Sequence, residues 1–225
     1  RDGSAYANGL QGMALTMILL AEARFPEALE AGVEAEEILR TQCKGAGYEA
    51  SIVAMCRYSC FEFAGDLTQL QREAPQRARD SDERGDRHSL AILVQALPLV
   101  YLMRDDPDLA IEFLARQNPD HDEFSTFQYL LLVRRADTLL YQSRGTAARQ
   151  HVLMHWSLLA TSPLFRRRMT RAGAHLLRAR CALMAYRESA DPSVLLDTVH
   201  DANMLVELRS GFYGYAAAIH GQLAL

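Results

Sequence analysis

The chain is expected to be all-α, an array of stacked antiparallel helix pairs, and three observations carry that expectation. Six turn signals recur about every forty residues, at Phe25-Pro26, Gly65-Asp66, Asp106-Pro107, Arg144-Gly145, Asp191-Pro192 and Gly211-Phe212. Each interval holds two helix-length stretches with apolar residues at steps of three and four, the period of one helical face. No window alternates apolar and polar residues as a half-buried strand does, and Gly and Pro fall mostly at boundaries. A repeat of this length marks units that bury their apolar faces only against their neighbours. About five pairs fit the 225 residues, and no Pro-, Gly- or Ser-rich stretch separates two halves, so a single domain over 1–225 is expected.

The elements follow in order. Ser4 to Arg24 forms the first helix, with Leu10, Met13, Met17, Leu20 and Ala21 on one stripe. Pro26 suits a first helical turn, and the second helix runs to about Cys43, where Gly45 and Gly47 break it. Tyr48 to Ala64 is the third, carrying Ile52, Met55, Cys56, Cys60 and Phe63. Asp66 is placed to cap the next helix, a polar segment from Leu67 to Asp86 that contains Pro75 and reads as exposed on most sides. Arg87 to Met103 is the most apolar segment, kinked or broken near Pro98. A short helix from Asp108 to Gln117 precedes the loop Asn118-Pro119-Asp120. Glu123–Tyr141, Thr146–Ala160, Phe165–Tyr186, Ser193–Arg209 and a helix from Phe212 onward complete the pattern.

Composition narrows the function classes. The net charge of −4 gives no general argument for nucleic acid or membrane, but it hides a basic band: residues 138–187 hold nine arginines and no acid. Arginine outnumbers lysine 23 to 1, a bias that genome composition alone can produce, so abundance is not evidence of phosphate binding. Cys43, Cys56, Cys60 and Cys181 form no Cys-x-x-Cys pair, which favours a reducing, cytoplasmic setting over a disulfide framework. The longest apolar run, Leu90 to Met103, is interrupted by Gln95 and Pro98 and falls short of the ~20 residues that a membrane-spanning helix needs. The chain starts at Arg1 with neither a methionine nor a basic leader, and ends at Leu225 inside an apolar pattern, so it reads as a piece of a longer protein.

Ala23-Arg24-Phe25-Pro26-Glu27-Ala28-Leu29 resembles the turn and second-helix opening of a tetratricopeptide repeat (TPR). Asp108-Leu109-Ala110-Ile111 repeats the Ala-apolar pair, and Gly145-Thr146-Ala147-Ala148 echoes it. The units here are longer than the standard 34 residues and most lack the first-helix Trp and Gly, so the chain is similar to the long, degenerate TPR-like arrays of large bacterial signalling proteins. Leu176-Leu177-Arg178-Ala179-Arg180-Cys181-Ala182-Leu183 and Asp191-Pro192-Ser193-Val194-Leu195-Leu196 resemble the C-terminal regions of bacterial multidomain serine/threonine kinases and related signalling ATPases. The resemblance implies a TPR-like α-solenoid in a right-handed superhelix, serving as a regulatory or partner-binding segment.

The basic band supplies the candidate site. On a helix from Phe165 to Tyr186, Arg167, Arg171 and Arg178 fall within about 40° of one another, opposite Met169, Leu176 and Leu183. Planar, always-charged forks suit a carboxylate- or phosphate-bearing partner, and the adjacent Arg166 and Arg168 are further candidates for contacting it. An ordinary solvated face is the competing reading. Arg180 projects nearer the apolar side, where it needs an internal partner. Trp156 reads as packing between helices or as an aromatic anchor for a partner. His151 and His155, four apart, have metal-ligand spacing, but no nearby carboxylate completes a ligand set, so no metal is expected. Gly9-x-x-Gly12 and Gly211-x-x-Gly214 read as close helix packing.

No Gly-x-Ser-x-Gly, Walker loop, Gly-x-Gly-x-x-Gly or kinase catalytic motif occurs, so neither an enzyme nor a cofactor is expected. The function expected is a non-catalytic scaffold that holds a protein or peptide, acidic or phosphorylated, in its groove. The alternative is a small-molecule-sensing array that controls oligomerisation or an attached kinase or ATPase. Homodimerisation fits both, and the acidic regions flanking the band argue against nucleic acid.

Overall fold

The computed structural model describes residues 3–85, 89, 92–117, 124–208 and 213–223. Among these residues the protein is all-helical, with eleven α-helices, three short 3-10 turns and no strand. The loop expected at Asn118-Pro119-Asp120, the turn at Gly211-Phe212, and the outer ends expected at Asp86, Arg87, Glu123 and Arg209 lie outside the described residues. The chain divides into two compact units, Arg1–Arg104 and Asp105–Leu225.

In the first unit, α1 (Gly3–Ala21) folds back onto α2 (Phe25–Thr41) through Ala23, which adopts a left-handed φ of 60°. Pro26 sits in the first turn of α2, where its missing N–H costs no helical bond. The two helices cross closely because Gly12 has no side chain: a Cβ there would lie 2.8 Å from that of Ala35. That is the packing role expected of the Gly-x-x-Gly. α3 (Gly47–Ala64) lies against both and ends at Gly65 (φ 76°), after which Asp66 accepts a bond from the Gln69 amide to open α4 (Leu67–Glu83). α4 runs unbroken through Pro75 and is less exposed than its composition implies. Leu70, Ala74 and Ser81 form a buried stripe, and its charged residues Glu73 and Arg77 turn toward α2 and α3. The apolar segment that follows is broken as expected near Pro98. A 3-10 turn over Leu93–Gln95 precedes α5 (Leu97–Met103), which takes Pro98 in its first turn.

The second unit opens on Asp106, whose carboxylate caps the Leu109 amide and starts α6 (Pro107–Ala115). Ser125 and Gln128 form a reciprocal capping box at the start of α7 (Thr126–Tyr141). A left-handed Ser143 turns the chain into α8 (Gly145–Thr161). The first amides of α8 are capped from a distance: Gly145 and Thr146 both donate to the Glu188 carboxylate near the end of α9 (Arg168–Ser189). These bonds, chiefly those from Thr146, hold the Glu188 carboxyl below its ordinary range. The helix expected over Ser193–Arg209 is instead a 3-10 turn, Pro192–Leu195, followed by α10 (Thr198–Glu207). α11 (Tyr213–Leu223) completes the unit.

α9 is the central helix of this unit. Ala174, Leu177 and Cys181 pack with Leu132, Ala136, Val152 and Leu159 of α7 and α8. Ala172, Leu176 and Ala179 pack with Ala202 and Leu205 of α10 and Ile219 of α11. This two-sided burial explains the small and apolar residues around its arginines. All four cysteines are free thiols, and burial pushes Cys56 and Cys181 up to about 12 and Cys60 up to about 11.

Candidate functional site

The basic segment begins where α8 stops. Residues before a proline are pushed toward extended backbone, and Ser162 is extended (ψ 154°) ahead of Pro163. A 3-10 turn over Pro163–Arg166 follows, anchored inward by buried Leu164 and half-buried Phe165. With those two side chains inside, Arg166, Arg167 and Arg168 are left exposed, the last in the first turn of α9. No acidic residue occupies that turn, and Arg166 and Arg167 form no ion pair among the described residues. Cations beside the positive end of a helix are unfavourable by about 0.3–1 kcal/mol each, so this cluster is electrostatically prepared for an anion.

The remaining members of the expected stripe are placed differently. Arg171 is half-buried, and its Nε is enclosed without a hydrogen-bond partner. Arg178 turns inward: its Nε lies 2.8 Å and its Nη2 2.5 Å from the two oxygens of the Asp201 carboxylate, and its Cζ stands 3.8 Å above the Trp156 ring centre. Arg167, Arg171 and Arg178 therefore share an angular sector without forming one solvent face. The reason is α10, which brings Asp201 against the position-178 side of α9. Arg180 departs in the opposite sense. Its guanidinium is half-exposed and pairs with Asp137 at 3.1 Å, because a long stem can leave an apolar flank and reach water.

Trp156 is a packing residue that joins an aromatic cluster. Phe165 and His175 stand 5.8 and 5.5 Å from it, and His200 stands 5.8 Å from His175. His175 Nδ1 lies 2.7 Å from Asp201, so this fully buried carboxylate is satisfied by an imidazole and a guanidinium fork together. Sequence reasoning missed His175 and Asp201. Their signal is a single acid between Thr198, Ala202 and Leu205 on the buried side of α10, facing a histidine three residues before an arginine on α9.

On the side of α8 away from Trp156, apolar residues are left uncovered among the described residues. Met154 and Leu158, one turn apart, are 75% and 62% exposed. Leu158 lies in the last turns of α8, shortly before the arginine cluster. One turn earlier His155 Nδ1 bonds the His151 carbonyl at 2.9 Å, and His151 Nε2 is buried without a partner. Burial, with His155 and Arg135 nearby, lowers His151 to about 4. A depressed histidine pKa means that the unfolded chain takes up a proton first as pH falls. Stability is then full above about 6.5 and declines toward pH 4. After discounting for the exposed part of the ring, we expect a decline of about 1–2 kcal/mol over that window. His151→Leu should flatten it in denaturant melts at stepped pH, and an unchanged slope would refute the assignment. Among the described residues no group of three metal-ligating side chains occurs, and no helix is long and apolar enough to cross a membrane.

No family model matches this chain, and neither a curated protein nor a solved structure does.

Proposed function

We propose that this protein is a non-catalytic recognition scaffold that binds an acidic or phosphorylated segment of a protein partner on the α8–α9 face. The observation that supports this most directly is that an exposed apolar pair on α8, Met154 and Leu158, is followed within the next ten residues of the chain by the exposed cluster Arg166–Arg168. Interfaces commonly combine a desolvated apolar anchor with a charged rim that fixes orientation. An amphipathic partner helix with acidic residues beside its apolar stripe has the matching chemistry. Phosphate would gain from both the guanidinium forks and the α9 amides.

In this reading the helix pairs stack as a TPR-like, right-handed superhelix, and the segment acts as the regulatory part of a bacterial signalling protein. Buried free thiols suit a reducing, cytoplasmic compartment. Arg178 and Trp156 act as positioning residues: their stack and the Asp201 fork hold the middle of α9 against α8 and α10. Arg178 is for that reason excluded from a charge-reversal test of binding.

The test is an array of acidic and phosphorylated amphipathic peptides probed with the whole chain. Arg166→Glu/Arg167→Glu/Arg168→Glu should weaken the best binder at least tenfold while circular dichroism stays unchanged. Met154→Ser/Leu158→Ser should do the same without altering salt dependence. If acidic peptides bind no better than basic scrambled controls, or the triple variant binds like the parent chain, the reading is wrong. A second reading, small-molecule sensing, is favoured by a different observation in the first unit.

A further inference from the structure

α2, α3 and α4 enclose an open cavity of about 310 Å³ whose walls carry four carboxylates and four guanidiniums. Its floor is an ion network. Arg57 reaches Glu36 at 2.7 Å with one terminal nitrogen and spans both Glu73 oxygens, at 2.9 and 3.0 Å, with the other. Arg77 also pairs with Glu36, and Gln69 donates to Glu73 at 2.8 Å. The buried Glu36 carboxylate thus receives several guanidiniums, of which Arg40 is the loosest: it is half-exposed and 3.5 Å away. Arg57 Nε is buried without a partner. Of the five groups in this network, Arg40, Arg57 and Arg77 are cations and Glu36 and Glu73 are acids.

Further charges lie at the rim. Glu37 and Arg84 are exposed, and Asp80 beside them takes a bond from Gln76 at 2.9 Å. Cationic forks below, with the exposed Glu37 and the half-buried Asp80 at the edge, suit a molecule that carries both signs. Several features narrow its class. The volume lies at the small end of ligand sites, which start at about 300 Å³. The lining contains no aromatic ring and a single aliphatic residue, Val33, so planar apolar ligands gain little there. Four carboxylates repel a polyphosphate, and four guanidiniums repel a polyamine.

We propose that this cavity binds a small zwitterion of the amino-acid class, its carboxylate on Arg40 and Arg77 and its ammonium on the Glu37–Asp80 rim. In this arrangement Arg40 leaves its long contact to Glu36 for a better one to the ligand, while Arg57 keeps Glu36 and Glu73 in place. The proposal is independent of the α8–α9 reading, and either can fail alone.

The test uses the whole chain and the twenty proteinogenic amino acids, each titrated in a thermal-shift assay and then by calorimetry, with inorganic phosphate and putrescine as singly signed probes. At least one amino acid is expected to raise the Tm saturably, with neither phosphate nor putrescine doing so. Arg40→Gln, at the exposed edge of the floor network, and Glu37→Gln, at the rim, should each weaken its Kd at least tenfold with the ligand-free Tm unchanged. A ligand-free Tm that falls in one rim variant leaves the other to decide. No shift with any amino acid, a stronger shift with phosphate or putrescine, or rim variants that bind like the parent chain would overturn the proposal.

Discussion

Asp201→Ala is expected to destabilise the second unit by about 3–5 kcal/mol, enough to melt a marginally stable helical array. The carboxylate is fully buried and is the shared acceptor of His175 and the Arg178 fork. Removing it strands a guanidinium whose other neighbour is the face of Trp156. A cation on an aromatic face is worth about 0.5–2 kcal/mol, too little to offset the loss of a buried counter-ion. Asp201→Asn separates charge from shape: it keeps acceptor geometry on one side but leaves the positive charge uncompensated, and should lie between the two. A combined His175→Phe/Arg178→Met/Asp201→Leu variant should recover much of the loss, since an apolar set of similar volume often equals a buried ionic one. Urea melts of the single and triple variants check this. An Asp201→Ala protein as stable as the parent would show that the network contributes nothing.

Gly145→Ala is expected to cost about 3 kcal/mol, at the upper end of overpacking effects. An added Cβ would lie 2.5 Å from the Ala185 nitrogen and closer still to the Met184 carbonyl carbon. Both are backbone atoms inside α9, so no rotamer change relieves the clash, and α8 must withdraw from α9. That withdrawal also pulls the Gly145 amide away from Glu188. Gly47 supplies the internal control: nothing lies within 4 Å of a Cβ there, so Gly47→Ala in the first turn of α3 should be neutral or stabilising by up to about 1 kcal/mol. Equal melting temperatures for the two alanine variants would refute the close-contact account.

The boundaries of the helices were legible because they depend on local backbone chemistry. Pro26, Gly65-Asp66, Asp106-Pro107 and Gly145 all mark helix starts or stops in the structure. The first three act within one turn through a constrained φ, a missing N–H or a short capping side chain, whereas Gly145 permits the close approach to α9 and is capped by the distant Glu188. The 3-10 turn at Pro192–Leu195 was not legible, since helical periodicity does not separate a short 3-10 segment from the helix after it. The arginines divide the same way. Arg166, Arg167 and Arg168 are exposed as expected, because their turn is anchored by the two residues just before them. Arg178 and Arg180 exchange their expected roles because their surroundings are set by α10 and by Asp137 on α7, and a helical wheel for α9 contains neither. The ion network of the first unit was hidden for the same reason. Glu36, Arg57 and Glu73 lie on three helices, so no single helical pattern brings them together.

The bond between Glu188 and the start of α8 has a consequence for how the chain is made. Its partners are 43 residues apart, and at roughly 5–20 residues per second the ribosome takes about 2–9 s to deliver the carboxylate after Gly145 has been joined. Throughout that interval the leading amides of α8 have only water as a partner, and the apolar side meant for α9 has nothing to cover it. The capped start of α8 therefore forms only once Glu188 has been added, and the arrival of one glutamate completes it.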